Sequence, residues 1–406
     1  MSAEPREDAR GRWFTPGVAG IGGASFLSDV GHEVPTALLP SLLTSLGAPA
    51  AALGLIEGIA NGAAGLARLA GGPIADDPEQ RRRVAVGGYI STAVFSSLIG
   101  LASTAWQVGA FRVAAWTARG LRVPARNALL ADVVPPNVYG RACGFERAMD
   151  NLGAIAGPLL ALALVGLIGV REAILVSVVP GFLAAAAIVF AIRSAPKTSV
   201  RQFQRIHMRV RPLLQGPLGR LLVAMSVLEL GNAAATLFIL RATDALTPAA
   251  GLDHATQIAL SLYVAYNVFA TLASVPAGYL ADHKHPVLVV ALGALLFAGA
   301  YMAFTSATLS LLMVGFSLAG IGVGCLETGQ HAAVAAVAPE NLRGSAFGLL
   351  AAVQSFGGFA ASAIAGILWT TISPQAAFLY LAVCMGLGAI GILAMLSLHT
   401  DSESRA

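Results

Sequence analysis

Charge is what this sequence has least of. Lys, Arg, Asp and Glu together make up 11% of its 406 residues, against roughly 25% in a soluble domain. So little charge excludes a wettable surface closed around a buried core. Cysteine is scarcer still. Cys143, Cys325 and Cys384 lie far apart in apolar stretches, with no CxxC and no His/Cys cluster. They read as small buried hydrophobes, and neither a disulfide framework nor a metal site is expected. No GxxxxGK(S/T) run is present, so energy from ATP hydrolysis within the chain is not expected. No GxSxG or HExxH pairing falls within a predicted helix, and His32 and Glu33 are adjacent rather than spaced for a metal. What is abundant is apolar: 56% of residues, with a mean hydropathy of +0.75. That composition is a polytopic membrane protein. The opening "MSAEPREDARGR" mixes both signs, and no A-x-A-like cleavage site follows the first apolar run. That run is therefore expected to stay in the mature chain.

Apolar runs of about 20 residues recur along the whole length. They predict twelve helices near 17–46, 50–74, 84–104, 106–128, 141–167, 170–193, 219–241, 257–280, 286–306, 308–336, 345–369 and 375–398. Their Gly and Ala content suits close helix packing in lipid. The loops are asymmetric. From Arg193 to Arg220 inclusive there are seven Lys/Arg and no Asp/Glu, and "QRRR", Arg141, Lys284 and Arg343 fall on the same side. The opposite loops, such as "LGAPAAA" and "TISPQ", are nearly bare. The positive-inside rule then places both termini and the central linker in the cytoplasm. Trp13, Trp106 and Trp369 fall near predicted helix ends, as interface anchors do.

The halves repeat. "GPIAD" (72–76) and "GYLAD" (278–282) end the second and eighth predicted helices, 206 residues apart. "VPPNVYGRACGF" and "APENLRGSAFGL" enter the fifth and eleventh, 204 apart. Asn61 and Asn267 share the 206 offset. Such offsets, about half the chain, describe two six-helix units with parallel internal symmetry. The expected fold is an all-α membrane protein of twelve transmembrane helices in two pseudo-symmetric six-helix bundles. The expected divisions are a cytoplasmic segment 1–16, a bundle 17–193, a basic linker 194–218, a bundle 219–398 and a cytoplasmic tail 399–406.

On these features the whole chain resembles the Major Facilitator Superfamily. The loop after the second helix sharpens the resemblance. Of the family pattern G-x-x-x-D-(R/K)-x-G-R-(R/K), "GPIADDPEQRRR" supplies Gly72, Asp76 and Arg81, with Arg82 and Arg83 trailing. It departs at Asp77 and Glu79. Gly278 and Asp282 form the second copy. The resemblance implies a gate here. Gly72 would let backbones approach, and Asp76 would accept hydrogen bonds from a neighbouring helix N-terminus. The plainer reading is a helix stop with a positive-inside anchor. Gly144, Gly153 and Gly157-Pro158 resemble the fifth-helix pattern of proton-coupled antiporters, with Ala161-Leu162 replacing its last glycine pair. Ordinary helix packing explains the same glycines. The drug-exporter pattern R-x-x-Q-G fails on the fourth helix, where Trp116 stands in place of Arg.

Ionisable residues inside the helices are the functional signal. Each acid costs about 2.5–3.5 kcal/mol at a helix centre on insertion scales, and persists where it faces water or a partner. Asp29, His32, Glu33 and Thr36 share one face of the first helix. Burial disfavours a charged carboxylate and His titrates near neutrality, so this stripe can carry a proton. Equally, Asp29 or Glu33 could pair permanently with Arg112 or Arg119. Asp29, Glu33, Glu57 and His32 are the proton-coupling candidates. Asn61, Arg112, Glu229, Asn232, Tyr263, Asn267 and Glu327 are the substrate-cavity candidates. Glu146 and Asp150, one turn apart, are expected to join Arg122 or Arg126 in a structural network.

The expected function is secondary active transport of a small solute by alternating access, proton-coupled and in the export direction. Uptake of a nutrient or metabolite shares the architecture. A membrane sensor or assembly partner without flux is the alternative outside transport. Expected partners are a small-molecule substrate, protons and the lipid bilayer, with no nucleic acid, metal or cofactor. The resemblance implies a monomer in the cell membrane.

Overall fold

A computed structural model describes residues 13–48, 50–194 and 216–403. The expected linker 194–218 lies almost wholly outside the described residues. So do most of the segment 1–16 and the last three residues of the tail 399–406. Every regular element among the described residues is helical. In lipid the backbone must satisfy its own hydrogen bonds, and an α-helix does so within one segment.

The chain forms α1 (Pro16–Ser45), α2 (Ala50–Ala75), α3 (Pro78–Leu98), α4 (Ala105–Val133), α5 (Tyr139–Ile168), α6 (Val170–Val176) and α7 (Val178–Ser194). It continues with α8 (Pro217–Glu229), α9 (Thr236–Ala250), α10 (Leu252–His283), α11 (Pro286–Phe304), α12 (Leu309–Val337), α13 (Arg343–Thr371) and α14 (Pro374–Glu403). Proline at the first helical position starts α3, α8 and α11, where its missing N–H is no loss. Asp77, which breaks the family pattern, is the N-cap of α3. Its carboxylate accepts from the N–H groups of Glu79 at 2.8 Å and Gln80 at 3.2 Å.

All twelve expected helical segments are present, two of them broken. The sixth is divided at Ser177 into α6 and α7. The seventh, expected as one helix over 219–241, stops at Glu229 and resumes at Thr236. Gly231 and Asn232 lie in the break, and tyrosines stabilise it. Tyr301 donates to the Gly231 carbonyl at 2.8 Å and Tyr380 to that of Leu230 at 3.1 Å. Hydropathy averages over a window and cannot show a break of six residues.

Among the described residues, eight helices are long and apolar enough to cross a membrane. The segments left out are α1, α2, α4 and the broken α8/α9. These carry Asp29 and Glu33, Glu57, the arginines 112 to 126, and Glu229. Of these, α8 and α9 have 13 and 15 residues and are each too short to cross alone.

The described residues group into two compact units, those within Met1–Arg209 with Ala338–Leu349, and those within Val210–Val337 with Leu350–Ala406. In the first, α1 packs on α5 and α7, and α4 packs on α2 and α3. In the second, α12 packs on α10 and α11, and α11 on α14. Each unit also has an arginine, half-buried Arg171 and buried Arg241, that binds carbonyls at a helix end. Arg171 donates to Gly100 and Ala102 at 3.0 and 2.7 Å, and Arg241 to Phe304 and Ser306 at 2.8 and 3.1 Å.

Candidate functional site

In the first unit the polar face of α1 meets α2, α4 and α5. Asp29 is 4% exposed and His32 1% exposed. His32 Nδ1 binds the Ser28 carbonyl at 2.8 Å, one helical turn back. Its ring lies between two acids, 3.4 Å from Asp29 Oδ1 and 3.5 Å from Glu33 Oε1. Arg119 reaches Asp29 at 3.4 Å. These separations are long for hydrogen bonds, so the acids are held loosely.

Arg112, 1% exposed, is the pivot on α4. It pairs with Glu57 at 2.8 Å and donates to Thr36 Oγ1 at 3.0 Å. Its guanidinium lies flat over Trp116, 3.4 Å from the ring centroid. Trp116 in turn donates to Asn61 Oδ1 at 3.2 Å and meets the His32 ring edge-on at 5.5 Å. Trp116, noticed in the sequence only for spoiling an exporter pattern, joins α1, α2 and α4. Arg122 donates to Ser28 Oγ at 2.7 Å and stacks over Tyr89 at 3.9 Å.

Further along, Arg126 pairs with Glu146 at 2.7 Å and Asp150 at 3.4 Å. Arg147 reaches the same two acids at 2.7 and 3.7 Å. Ser25 on α1 donates to Glu146 at 2.6 Å. The 2.6–2.7 Å contacts centred on Glu146, with Asp150 at longer range, form a buried charge-assisted network that ties α1, α4 and α5 together. The glycines of α5 admit it. A Cβ at Gly153 would stand 2.8 Å from Asp29 Cβ. Gly144 is buried on the same helix and Pro158 is exposed.

A second cluster of the same unit holds Gly72, Asp76 and Arg81. Asp76 accepts from the Ser345 N–H at 2.9 Å, in the first turn of α13, and also from the Ser345 hydroxyl. A Cβ on Gly72 would stand 3.0 Å from the Gly344 carbonyl oxygen. Arg81 donates to the Ala75 carbonyl at 2.6 Å and pairs with Asp132, which Arg343 reaches at 3.7 Å. Burial pushes the Asp76 carboxyl above its ordinary value, against the hydrogen bonds from Ser345 and the charge of Arg81. The second copy is placed otherwise: Gly278 is buried, and Asp282 half-buried, in the last turns of α10.

In the second unit, Glu229 is fully buried and accepts from Asn232 at 2.9 Å and Gln330 at 2.7 Å. Asn267 spends its amide on the Tyr263 carbonyl at 2.9 Å, and Tyr263 stacks on Tyr266 with centroids 5.7 Å apart. Glu327 is half-buried on α12, and its carbonyl binds His331 at 2.8 Å. Gln354, which donates to Gln330 at 2.7 Å, went unremarked in the sequence. Its signal is a lone amide in the apolar run of α13. Among the described residues no group of His, Cys, Asp and Glu could hold a metal ion.

Comparison with known proteins adds the family. The model described as Major Facilitator Superfamily matches residues 21–251 and 221–406. A protein of Methanocaldococcus jannaschii described as an uncharacterized MFS-type transporter is 29% identical, over 90% of this chain and 92% of its own. The gentisate transporter of Corynebacterium glutamicum is 28% identical, over 77% of this chain and 70% of its own. Among solved structures, that of the E. coli fucose:proton symporter superposes with a TM-score of 0.71. It covers 92% of this chain and 97% of its own at 15% identity.

Proposed function

Because the chain belongs to the Major Facilitator Superfamily, we propose that it is a secondary transporter that exports a small solute by alternating access in exchange for protons. Transport is the work of the family, whose members are not enzymes. The coupling and the direction are our reading. The observation that carries it is the face of α1. Asp29 is buried there beside His32 and reached by Arg119 only at 3.4 Å.

A carboxylate that served structure alone would be locked in short bonds, as Glu146 is at 2.6–2.7 Å. Asp29 and Glu33 instead lie 3.4–3.5 Å from His32 or Arg119, while Glu57 holds Arg112 at 2.8 Å, so that protonation of any of the three would free a neighbouring Arg or His. Removing one charge from such a set changes which partner each remaining charge prefers. That is the requirement for linking a proton to a change of conformation. Arg112 and Asn61, together with Glu229, Asn232, Tyr263, Asn267 and Glu327 of the second unit, are the residues we assign to solute binding. The Asp76–Ser345 contact is assigned to gating.

The charge asymmetry of the loops supports a multi-pass chain in the cell membrane with both termini cytoplasmic. The test is flux in proteoliposomes over a panel of solutes, with and without an imposed pH gradient. Gradient-driven flux is the expected result. Flux indifferent to the gradient would remove proton coupling, and accumulation of solute in expressing cells would turn export into uptake.

A further inference from the structure

The acid of the second unit differs from those of the first. Glu229 is 0% exposed and has no Lys or Arg bonded to it among the described residues. It ends α8, where the helix dipole adds negative potential rather than relieving it. The titratable groups around it supply no fixed positive charge. They are Glu327 and His331 on α12, Tyr301 on α11, and Tyr380 and Cys384 on α14. Arg241, buried in the same unit, is committed to the carbonyls of Phe304 and Ser306 and to Asp244. An ionised carboxylate buried without a cation is strongly disfavoured.

What Glu229 does have is amides. Asn232 Nδ2 donates to one oxygen at 2.9 Å and Gln330 Nε2 to the other at 2.7 Å. Gln330 Oε1 accepts from Gln354 Nε2 at 2.7 Å. Gln354 lies three residues before Gly357 on α13, hence on the same side of that helix. Gly357 presses directly on the acid, since a Cβ there would stand 2.3 Å from Glu229 Cβ. The glycine excludes water from the carboxyl stem, and the glutamine delivers the amide chain.

We propose that Glu229 binds an exchangeable proton, and that Gln330 and Gln354 form a hydrogen-bond relay that reverses as the proton comes and goes. Ionised, the carboxylate accepts from Asn232 and Gln330, as observed. When a proton from water adds to it, its O–H becomes a donor. The Gln330 and Gln354 amides then both turn over, so that Gln330 accepts that O–H through Oε1 and donates through Nε2 to Gln354 Oε1. No bond other than the new O–H is made, and no electron changes hands. A metal ion fits poorly, because hard cations take oxygen ligands and both carboxylate oxygens already face N–H groups. This deepens the proposed proton coupling by adding a site in the second unit, and its test needs no solute.

The experiment is infrared difference spectroscopy of the full-length protein in lipid nanodiscs, titrated from acid to alkaline pH. The wild type should show a protonated-carboxyl carbonyl band that Glu229→Gln lacks. Gln330→Leu should move that band to higher frequency, because the O–H loses its acceptor. Equal spectra for wild type and a folded Glu229→Gln variant would overturn the proposal. Should Glu229→Gln fail to fold, an unmoved band in Gln330→Leu would overturn it instead. Sodium chloride added at fixed pH should leave the band unchanged, and its loss would assign the site to sodium. A band that titrates as expected in a protein whose flux ignores a pH gradient would keep the site and reject the coupling.

Discussion

Gly157 and Glu33 stand face to face: a Cβ on the glycine would lie 2.4 Å from the glutamate Cβ. Both positions belong to helix backbones, so neither can yield by turning a side chain. The second unit repeats the relationship with Gly357 and Glu229 at 2.3 Å. In each unit an acid on the first helix is seated against a glycine of the fifth.

Gly157→Ala and Gly357→Ala should therefore each push two helices apart. Overpacking of this kind costs about 1–3 kcal/mol. Thermal unfolding in detergent should show both variants less stable than wild type. Gly166→Ala is the control, since nothing stands within 4 Å of a Cβ there.

Asp29→Asn should abolish flux driven by a pH gradient while leaving solute exchange at equal pH. The amide keeps the shape and removes the proton carrier. Proteoliposomes measured with and without the gradient decide it. Coupling that survives would reassign Asp29 to structure.

Glu57→Gln leaves the Arg112 guanidinium buried beside a neutral amide. Breaking a fully buried ion pair costs about 3–5 kcal/mol, and less is expected here because Glu57 is 29% exposed. Arg112→Met with Glu57→Gln should recover part of the loss. A double-mutant cycle on unfolding midpoints measures the coupling. Arg112→Lys should not substitute, since it loses both the flat contact on Trp116 and the second donor to Thr36.

The Asp76 contact should depend on pH. Its carboxyl holds a proton more tightly in the folded protein than when free, chiefly through burial. A group of that kind stabilises the fold most at low pH. Its contribution is lost as pH rises from the unfolded value, about 4, through the shifted one. Wild type should thus lose stability relative to Asp76→Asn over that window. Unfolding midpoints of the two proteins at successive pH values give the difference, and a difference independent of pH would refute it.

Membrane residence, helix count and family follow from residue order alone. A chain with 11% charge must hide its backbone in helices, and a repeat offset of half the length leaves a two-unit plan. The polar stripe Asp29–His32–Glu33 was legible for the same reason, because helical spacing puts those residues on one face whatever surrounds them. The partners were not. Nothing in the order of residues says that Arg112 chooses Glu57 and Trp116, that Gln354 backs Gln330, or that the seventh helix stops after Glu229. Each of these depends on contact between helices far apart in the chain. Contact distance is decided by which small residues let two backbones close, as Gly157 and Gly357 do.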